Sequence, residues 1–126
     1  MKVIDRTDGC HEKTTPLLNG ILQDADGNPL ALASVVTLTC TLWNERTGTV
    51  INSRNGQDIK NANGGTLHAT SGAFTFQTSK EDTTIQDDTQ SNEPHLVMIR
   101  WTYGSSPEKQ GAFVWRLTIP NESKVA

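Results

Sequence analysis

The sequence predicts an all-β fold of antiparallel strands, and three observations support this prediction. Apolar residues alternate with other residues over 34–43, 95–103 and 112–119, which is the two-residue period of a half-buried strand. Clusters of Gly, Asn, Asp and Pro interrupt the chain about every 8–12 residues, as they do between short strands. A period of 3.6 residues is not sustained over the length of an ordinary helix. At 126 residues the chain is expected to form one domain.

The first half of the chain is predicted to contain an arm and three strands. Residues 1–15 are polar and form an extended N-terminal arm, with a short strand over 2–5. Residues 16–22 form the first strand of the main body, and residues 49–51 form a short one. The long strand at 34–43 directs one set of side chains to each face. The inward set is Val36, Leu38, Cys40 and Leu42, and the outward set is Val35, Thr37, Thr39, Thr41 and Trp43.

The second half is predicted to contain two hairpins joined by an acidic segment. Residues 66–70 and 73–78 flank a Ser-Gly turn, and residues 79–94 are acidic, with one helical turn opening at Lys80. The last two strands, 95–103 and 112–119, share a face of aromatic and aliphatic residues that has to be covered by a second layer. We expect these side chains to be largely buried: Leu38, Phe76, Ile99, Trp101, Phe113 and Trp115.

Short strands with regular turns are typical of an immunoglobulin-like antiparallel β-sandwich, here of about seven strands with an extended N-terminal arm. The sandwich is assigned to residues 16–120 and a C-terminal tail to residues 121–126. A small barrel is the competing architecture. The Cys, Trp and Cys spacing of antibody domains is absent from the sequence, so the prediction concerns the architecture alone.

Composition and charge argue against several classes of partner. The net charge is −3, and Lys and Arg are scattered instead of clustered, so the sequence does not favour binding to nucleic acid. Apolar runs stay well short of about 18 residues and charge follows the first Met directly, so we expect neither a membrane span nor a signal peptide. In a reducing compartment, Cys10 and Cys40 are predicted to be thiols instead of a disulfide.

Motifs that would indicate catalysis or a metal site are weak. Asp24, Asp26 and Asn28 alternate like the ligands of a calcium loop, but the glycine is at position 27 and Val35 stands where the bidentate Glu is needed. We therefore interpret this stretch as a turn. His11, His68 and His95 are each isolated, and no Ser, Cys or paired carboxylate near them makes a credible nucleophile-and-base set, so we predict no enzyme activity, no catalytic residue, no cofactor and no metal. His95 is expected to be partly buried and hydrogen-bonded to a neighbouring loop.

Three residues are candidates for binding a partner. Val3 and Ile4 lie among charged residues of the arm, and such a segment suits pairing with an exposed strand edge of a neighbouring subunit. Trp43 ends a strand on the threonine-rich face, where it is either packed beneath a loop or an interface anchor.

Several features together suggest a family. They are Leu18 and Gly20, Asp26-Gly27, the Val-Val-Thr-Leu strand, Val50-Ile51-Asn52, Asn61-Ala62, the Gly72 hairpin, Glu81-Asp82, and Glu93-x-His95 running into Ile99-x-Trp101. Over residues 16–119 the chain resembles the small immunoglobulin-like virion proteins of tailed bacteriophages, whose fold is similar to the N-terminal domain of the upper baseplate protein. The resemblance implies a structural module without cofactor or catalytic residues.

The expected function is therefore that of a non-enzymatic virion structural protein, assembled in the host cytoplasm. Such a protein would decorate the capsid or join head-tail or tail components, in multiple copies, through contacts with major capsid, neck or tail proteins. The alternative is an immunoglobulin-like recognition module that binds host-surface carbohydrate through Trp43 or the acidic segment 79–94. A hydrolase or metal enzyme is the third class and has the least support in the sequence.

Overall fold

The computed structural model describes residues 2–6, 10–87, 89–104 and 107–121. These residues form eight strands and two single-turn 3-10 helices, at Leu32–Ser34 and Lys80–Thr83. Within the described ranges there is no helix long and apolar enough to cross a membrane. The strands are β1 (Lys2–Arg6), β2 (Leu17–Ile21), β3 (Val35–Asn44), β4 (Gln57–Asp58), β5 (Gly65–Leu67), β6 (Ala73–Gln77), β7 (Asn92–Tyr103) and β8 (Lys109–Pro120).

The strands form two sheets that pack face to face as an all-β sandwich. One sheet has the order β1-β8-β7-β3-β4, and the other has the order β2-β6-β5. Every neighbouring pair is antiparallel except β1 with β8, which is parallel. The prediction of an all-β protein is confirmed. The turn chemistry also fits, because Gly72, which joins β5 to β6, has a positive φ of 74° that other residues rarely adopt.

Inward-facing residues of both sheets build one core. All six side chains predicted to be buried are buried. The ring of Phe113 lies 5.4 Å from that of Trp101 and 4.8 Å from that of Trp115, edge to face with the latter. Phe74 of the smaller sheet stacks on Trp115 at 6.5 Å. Because Phe74 and Trp115 belong to different sheets, this aromatic cluster joins the two sheets. Each aromatic pair contributes roughly 0.5–1.5 kcal/mol of stability beyond that from burying its apolar surface.

The long strand β3 departs from the predicted alternation at its start. A shift in pairing with β7 between Val35 and Thr37 marks a bulge, which reverses the side-chain directions before it. Val35 is therefore buried, and Val36 is 51% exposed, the opposite of the prediction. Residues 49–51 also differ, since they contribute an isolated bridge between Val50 and Trp43 instead of a strand.

The N-terminal arm begins as a strand of the larger sheet. Lys2–Arg6 pairs with β8 over the register from Phe113 to Leu117, and Cys10 is buried in the core. This differs from the expectation that the arm pairs with a neighbouring subunit. The physical reason is that β8 would otherwise be an open edge, and a tethered strand reaches it at a higher effective concentration than another molecule does.

Candidate partner-binding surface

Two of the three predicted partner-binding residues lie on the solvent-facing side of the larger sheet. Across the strands, Thr41, Met98, Val114 and Val3 form one row, and Trp43, Leu96, Arg116 and Asp5 form the next. Val3 is 44% exposed and Trp43 is half-buried. Val3 on β1 and Trp43 on β3 are three strand spacings apart across the sheet, about 15 Å. We call the accessible apolar members of these rows the outer patch: Val3, Trp43, Leu96 and Met98. Val114 lies in the same row as Val3 and Met98 but is only 2% exposed.

Arg116, on the same face as the outer patch, forms ion pairs that reach from β1 to the turn after β3. Its guanidinium donates from Nε and Nη2 to the Glu45 carboxylate, both at 2.9 Å, and from Nη1 to Asp5 at 2.9 Å. These hydrogen bonds, first to Glu45 and then to Asp5, raise the pKa of Arg116 above its ordinary value. The pairs are partly exposed, so each contributes little to the free energy of folding. Their effect is to fix β1 and the turn after β3 relative to each other.

Ile4, the third predicted residue, faces the opposite way. It is half-buried and packs against the core. It also lines a cleft of about 520 Å³ between the edges of the two sheets, together with Gly20, Ile21, Trp101 and Phe113. The structure therefore separates Ile4 from the outer patch, because successive side chains of a strand point to opposite faces.

A buried ion pair that the sequence did not reveal fastens the acidic segment to the sandwich. Arg54 donates from Nε to Asp82 Oδ1 at 2.7 Å and from Nη2 to Oδ2 at 3.1 Å, and both residues are buried. The remaining guanidinium nitrogen donates to Gln57 Oε1 and to the Asn63 carbonyl. The Arg54 guanidinium also lies 4.8 Å from the centre of the Phe76 ring. A charge buried this deeply is stable only with such partners.

Asp82 is also a capping residue. Its Oδ2 accepts the backbone N–H of Ser79 at 2.7 Å, and its Oδ1 accepts from the Asn52 amide at 3.0 Å. A Ser followed three residues later by an acidic residue is the local signal that could have marked Asp82. Arg54 lies in an Asn- and Gly-rich loop with no comparable signal in the sequence.

His95 continues the network on β7. Its Nδ1 lies 2.8 Å from the Asp82 carbonyl oxygen and its Nε2 lies 2.5 Å from Glu93 Oε1. The Asp82 carbonyl can only accept, so Nδ1 is the donor there, and Nε2 shares a hydrogen bond with the Glu93 carboxyl group, which also accepts the backbone N–H groups of Gln86 and Asp87. The prediction that His95 bonds to a neighbouring loop is confirmed, and its burial is complete instead of partial. The network ties both ends of the acidic segment to the sheet.

The aspartate-rich turn after β2 is held by its own backbone. Asp24 Oδ1 accepts the N–H groups of Asp26 and Asn28, each at 2.9 Å. The bond from Asn28 is the main cause that lowers the pKa of Asp24. The interpretation of this stretch as a turn is confirmed. Among the residues described, no three His, Cys, Asp or Glu side chains are grouped so that they could hold a metal ion.

Both cysteines are thiols, as predicted, and both are also buried, so their reactivity is testable. Burial raises the pKa of Cys40 to about 12, and the thiolate is the reactive form. We expect Cys40 to react slowly with a thiol reagent in the native protein near neutral pH. After unfolding without reductant, both thiols should react with the reagent. Fewer than two reactive thiols per chain, counted by an absorbance assay, would contradict the assignment.

The raised pKa of Cys40 also makes the stability of the folded protein depend on pH. An exposed thiol has a pKa of about 8.5, and the folded value is raised to about 12. The contribution of Cys40 to stability is therefore fully present below about pH 8.5 and is lost as the pH rises towards 12.

Comparison of the chain with protein-family models, with curated proteins and with solved structures gave no match.

Proposed function

We propose that the protein is a non-enzymatic structural component of a tailed-bacteriophage virion, an immunoglobulin-like module that decorates the capsid or joins head-tail or tail components. The observation that carries the proposal is the outer patch, where Val3 and Trp43 lie on one face of a rigid sheet. The residue-level resemblance to small virion proteins supplies the biological setting. The partners are major capsid, neck or tail proteins.

The strand order supports the immunoglobulin-like part of this proposal. In immunoglobulin domains, strands B, E and D are neighbours in one sheet, and strands G, F and C are neighbours in the other, with C′ beside C in the variable type. Counting β2 as B and continuing along the chain, the order β2-β6-β5 corresponds to B, E and D. The order β8-β7-β3-β4 then corresponds to G, F, C and C′.

The outer patch has the composition of an interface more than that of a solvated sheet face. A Trp and a Met are residue types enriched at protein interfaces, and here Trp43 and Met98 lie in adjacent rows with Leu96 and Val3. The patch is small, so one copy would bind weakly. Many copies on one particle convert weak contacts into stable attachment.

Replacement of Trp43 by Ala tests the role of the patch. Incorporation into particles, measured by mass spectrometry against the major capsid protein, should fall about tenfold or more, because an interface Trp often contributes 2 kcal/mol or more to binding. Val36→Ala is the matched control, since Val36 is an exposed residue at the other end of β3. Equal incorporation of the Trp43 variant and wild type, with both folded, would contradict the proposal.

The same measurement distinguishes positions on the virion. Abundance close to that of the major capsid protein means decoration, and a far smaller copy number means the neck or tail. A protein that is missing from purified particles, yet binds host-surface glycans in a manner that Trp43→Ala abolishes, would favour the carbohydrate-recognition alternative. Aromatic rings flanked by polar groups such as Thr41 suit that type of ligand.

A further inference from the structure

Glu93 and His95 form a buried pair on the inner face of β7, away from the outer patch. They are two residues apart on one strand, so their side chains point to the same face, and both are almost completely buried. His95 Nε2 lies 2.5 Å from Glu93 Oε1. Two acceptors so close would repel each other, so one proton lies between these atoms. Whether that proton is bonded to nitrogen or to oxygen, the pair as a whole carries no net charge.

The remaining hydrogen-bonding positions of the pair are already filled. Glu93 Oε1 also accepts from Gln86 N–H at 3.0 Å, and Oε2 accepts from Gln86 N–H at 3.1 Å and from Asp87 N–H at 2.8 Å. His95 Nδ1 donates to the Asp82 carbonyl. A carboxylate has about four lone-pair positions, and with His95 included each of them faces a donor. A second proton can therefore settle on Glu93 only if at least one of these donors withdraws.

A second proton would also give the pair a net positive charge inside the protein. The charged or titratable groups around the pair lie on β3 and on neighbouring loops: Glu12, Cys40, Arg46, Arg54, Asp82 and Asp87. Asp82 is already paired with Arg54, and Asp87 and Glu12 are bonded to the acidic segment itself. Burial raises the pKa of Cys40 to about 12, so its thiol stays neutral in acid. The added charge would therefore be buried without a counter-charge of its own, which is destabilising.

Glu93 fastens the middle of the acidic segment, and other residues fasten its ends. Among the described residues, Glu93 is the only acceptor for the backbone N–H groups of residues 86–87. Ile85 beside them is partly buried and packs against the core. The start of the segment is held by the buried ion pair described above. Its end is held by Asn121, which bonds to the backbone of residues 90–91. Loss of Glu93 as an acceptor would thus free residues 85–87 without detaching either end.

We propose that Glu93 and His95 form a latch that opens in acid. Uptake of a second proton by the pair releases the N–H groups of residues 86–87, so that residues 85–87 leave the sandwich and uncover Ile85 while both sheets stay folded. The open form binds one proton more than the closed form, so a falling pH favours opening. Histidine and glutamic acid side chains in general take up protons between about pH 7 and about pH 4, and the latch is expected to act in that range.

NMR relaxation of the ¹⁵N-labelled full chain, measured from about pH 7.5 down to about pH 4, tests this inference. We expect the backbone order parameters of Gln86 and Asp87 to fall from about 0.85 to below about 0.6 with one midpoint. Ile99 and Leu117, which are buried in the core, should keep their values across the same range. Retained order at these two residues shows that the sheets stay folded when the segment opens.

Glu93→Gln should move the midpoint of opening to a higher pH, by about one unit or more. The Gln amide can donate to Nε2 of a neutral His95 and accept from residues 86–87, so the variant closes near neutral pH. Because it has no charge with which to share a proton, the first proton taken up by His95 already opens the latch. Glu12→Gln is the matched control. It neutralises the other carboxylate that contacts the segment, its amide oxygen can still accept from Ile85 N–H, and its midpoint should equal that of wild type.

Three results would overturn the inference. The first is wild-type order at residues 86–87 that stays equal to that of the core down to about pH 4. The second is a simultaneous loss of order in the segment and the core, which would mean that acid unfolds the whole domain. The third is a Glu93→Gln midpoint at or below that of wild type. If this variant does not fold, the wild-type titration alone decides. Since only the isolated chain is needed, the outcome is independent of the proposed virion role.

Discussion

Replacement of Asp82 by Asn should lower the free energy of unfolding by about 3–5 kcal/mol, because it leaves the Arg54 guanidinium buried without a counter-charge. Asp82 is fully buried, and Arg54 is 6% exposed. The Asn NH2 group would also place donors at one of the two positions where a carboxylate oxygen now accepts, either from Arg54 and Asn52 at Oδ1 or from Arg54 and Ser79 at Oδ2. Urea denaturation monitored by tryptophan fluorescence measures the effect. A loss this large is a substantial part of the stability of a typical domain, about 5–15 kcal/mol.

Glu81→Gln is the matched control for this variant. Glu81 lies in the same 3-10 turn and is exposed, so its neutralisation should change the free energy of unfolding by no more than about 0.5 kcal/mol. If the Asp82 variant also falls within that range, the ion pair does not hold the acidic segment. Arg54→Ala combined with Asp82→Asn should cost less than the sum of the two single changes, since the first removes the charge that the second leaves unpaired.

Truncation of Trp115 to Ala should cost about 3–5 kcal/mol, the usual range for deleting a large buried aromatic side chain. Trp115 contacts Phe113 in its own sheet and stacks with Phe74 of the other sheet. A cavity at this position would separate the sheets where they are most closely joined. Thermal unfolding followed by near-ultraviolet circular dichroism reports both the loss of stability and the loss of aromatic packing.

An exposed aliphatic residue gives the comparison for Trp115. Val36→Ala removes side-chain atoms from a residue that is 51% exposed and should change the midpoint of unfolding by only a few degrees. If Trp115→Ala unfolds within that same range, the aromatic cluster is not the centre of the core. Its inward orientation would then have been assigned wrongly.

The alternation of residues in the last two strands was sufficient to predict their inner face. Val97, Ile99 and Trp101 are buried along β7, and Trp115 and Leu117 are buried along β8. The prediction succeeded because side-chain direction in a strand depends on local backbone geometry, with a period of two residues. The same rule failed at Val35 and Val36, because a bulge is set by pairing with a distant strand and leaves no mark on the pattern.

By itself, the sequence determined the all-β class, most strand positions, six of the buried core side chains and the two thiols, because each follows from local pattern or from residue type. Only the tertiary structure decided which residues meet across long stretches of chain. It paired β1 with β8, joined Arg54 to Asp82 and His95 to Glu93, and brought Val3 to the same face as Trp43. It also placed β2 at the edge of the smaller sheet. Such contacts depend on how two sheets of unequal width are stacked, and alternation along one strand carries no information about the strand that will lie beside or above it.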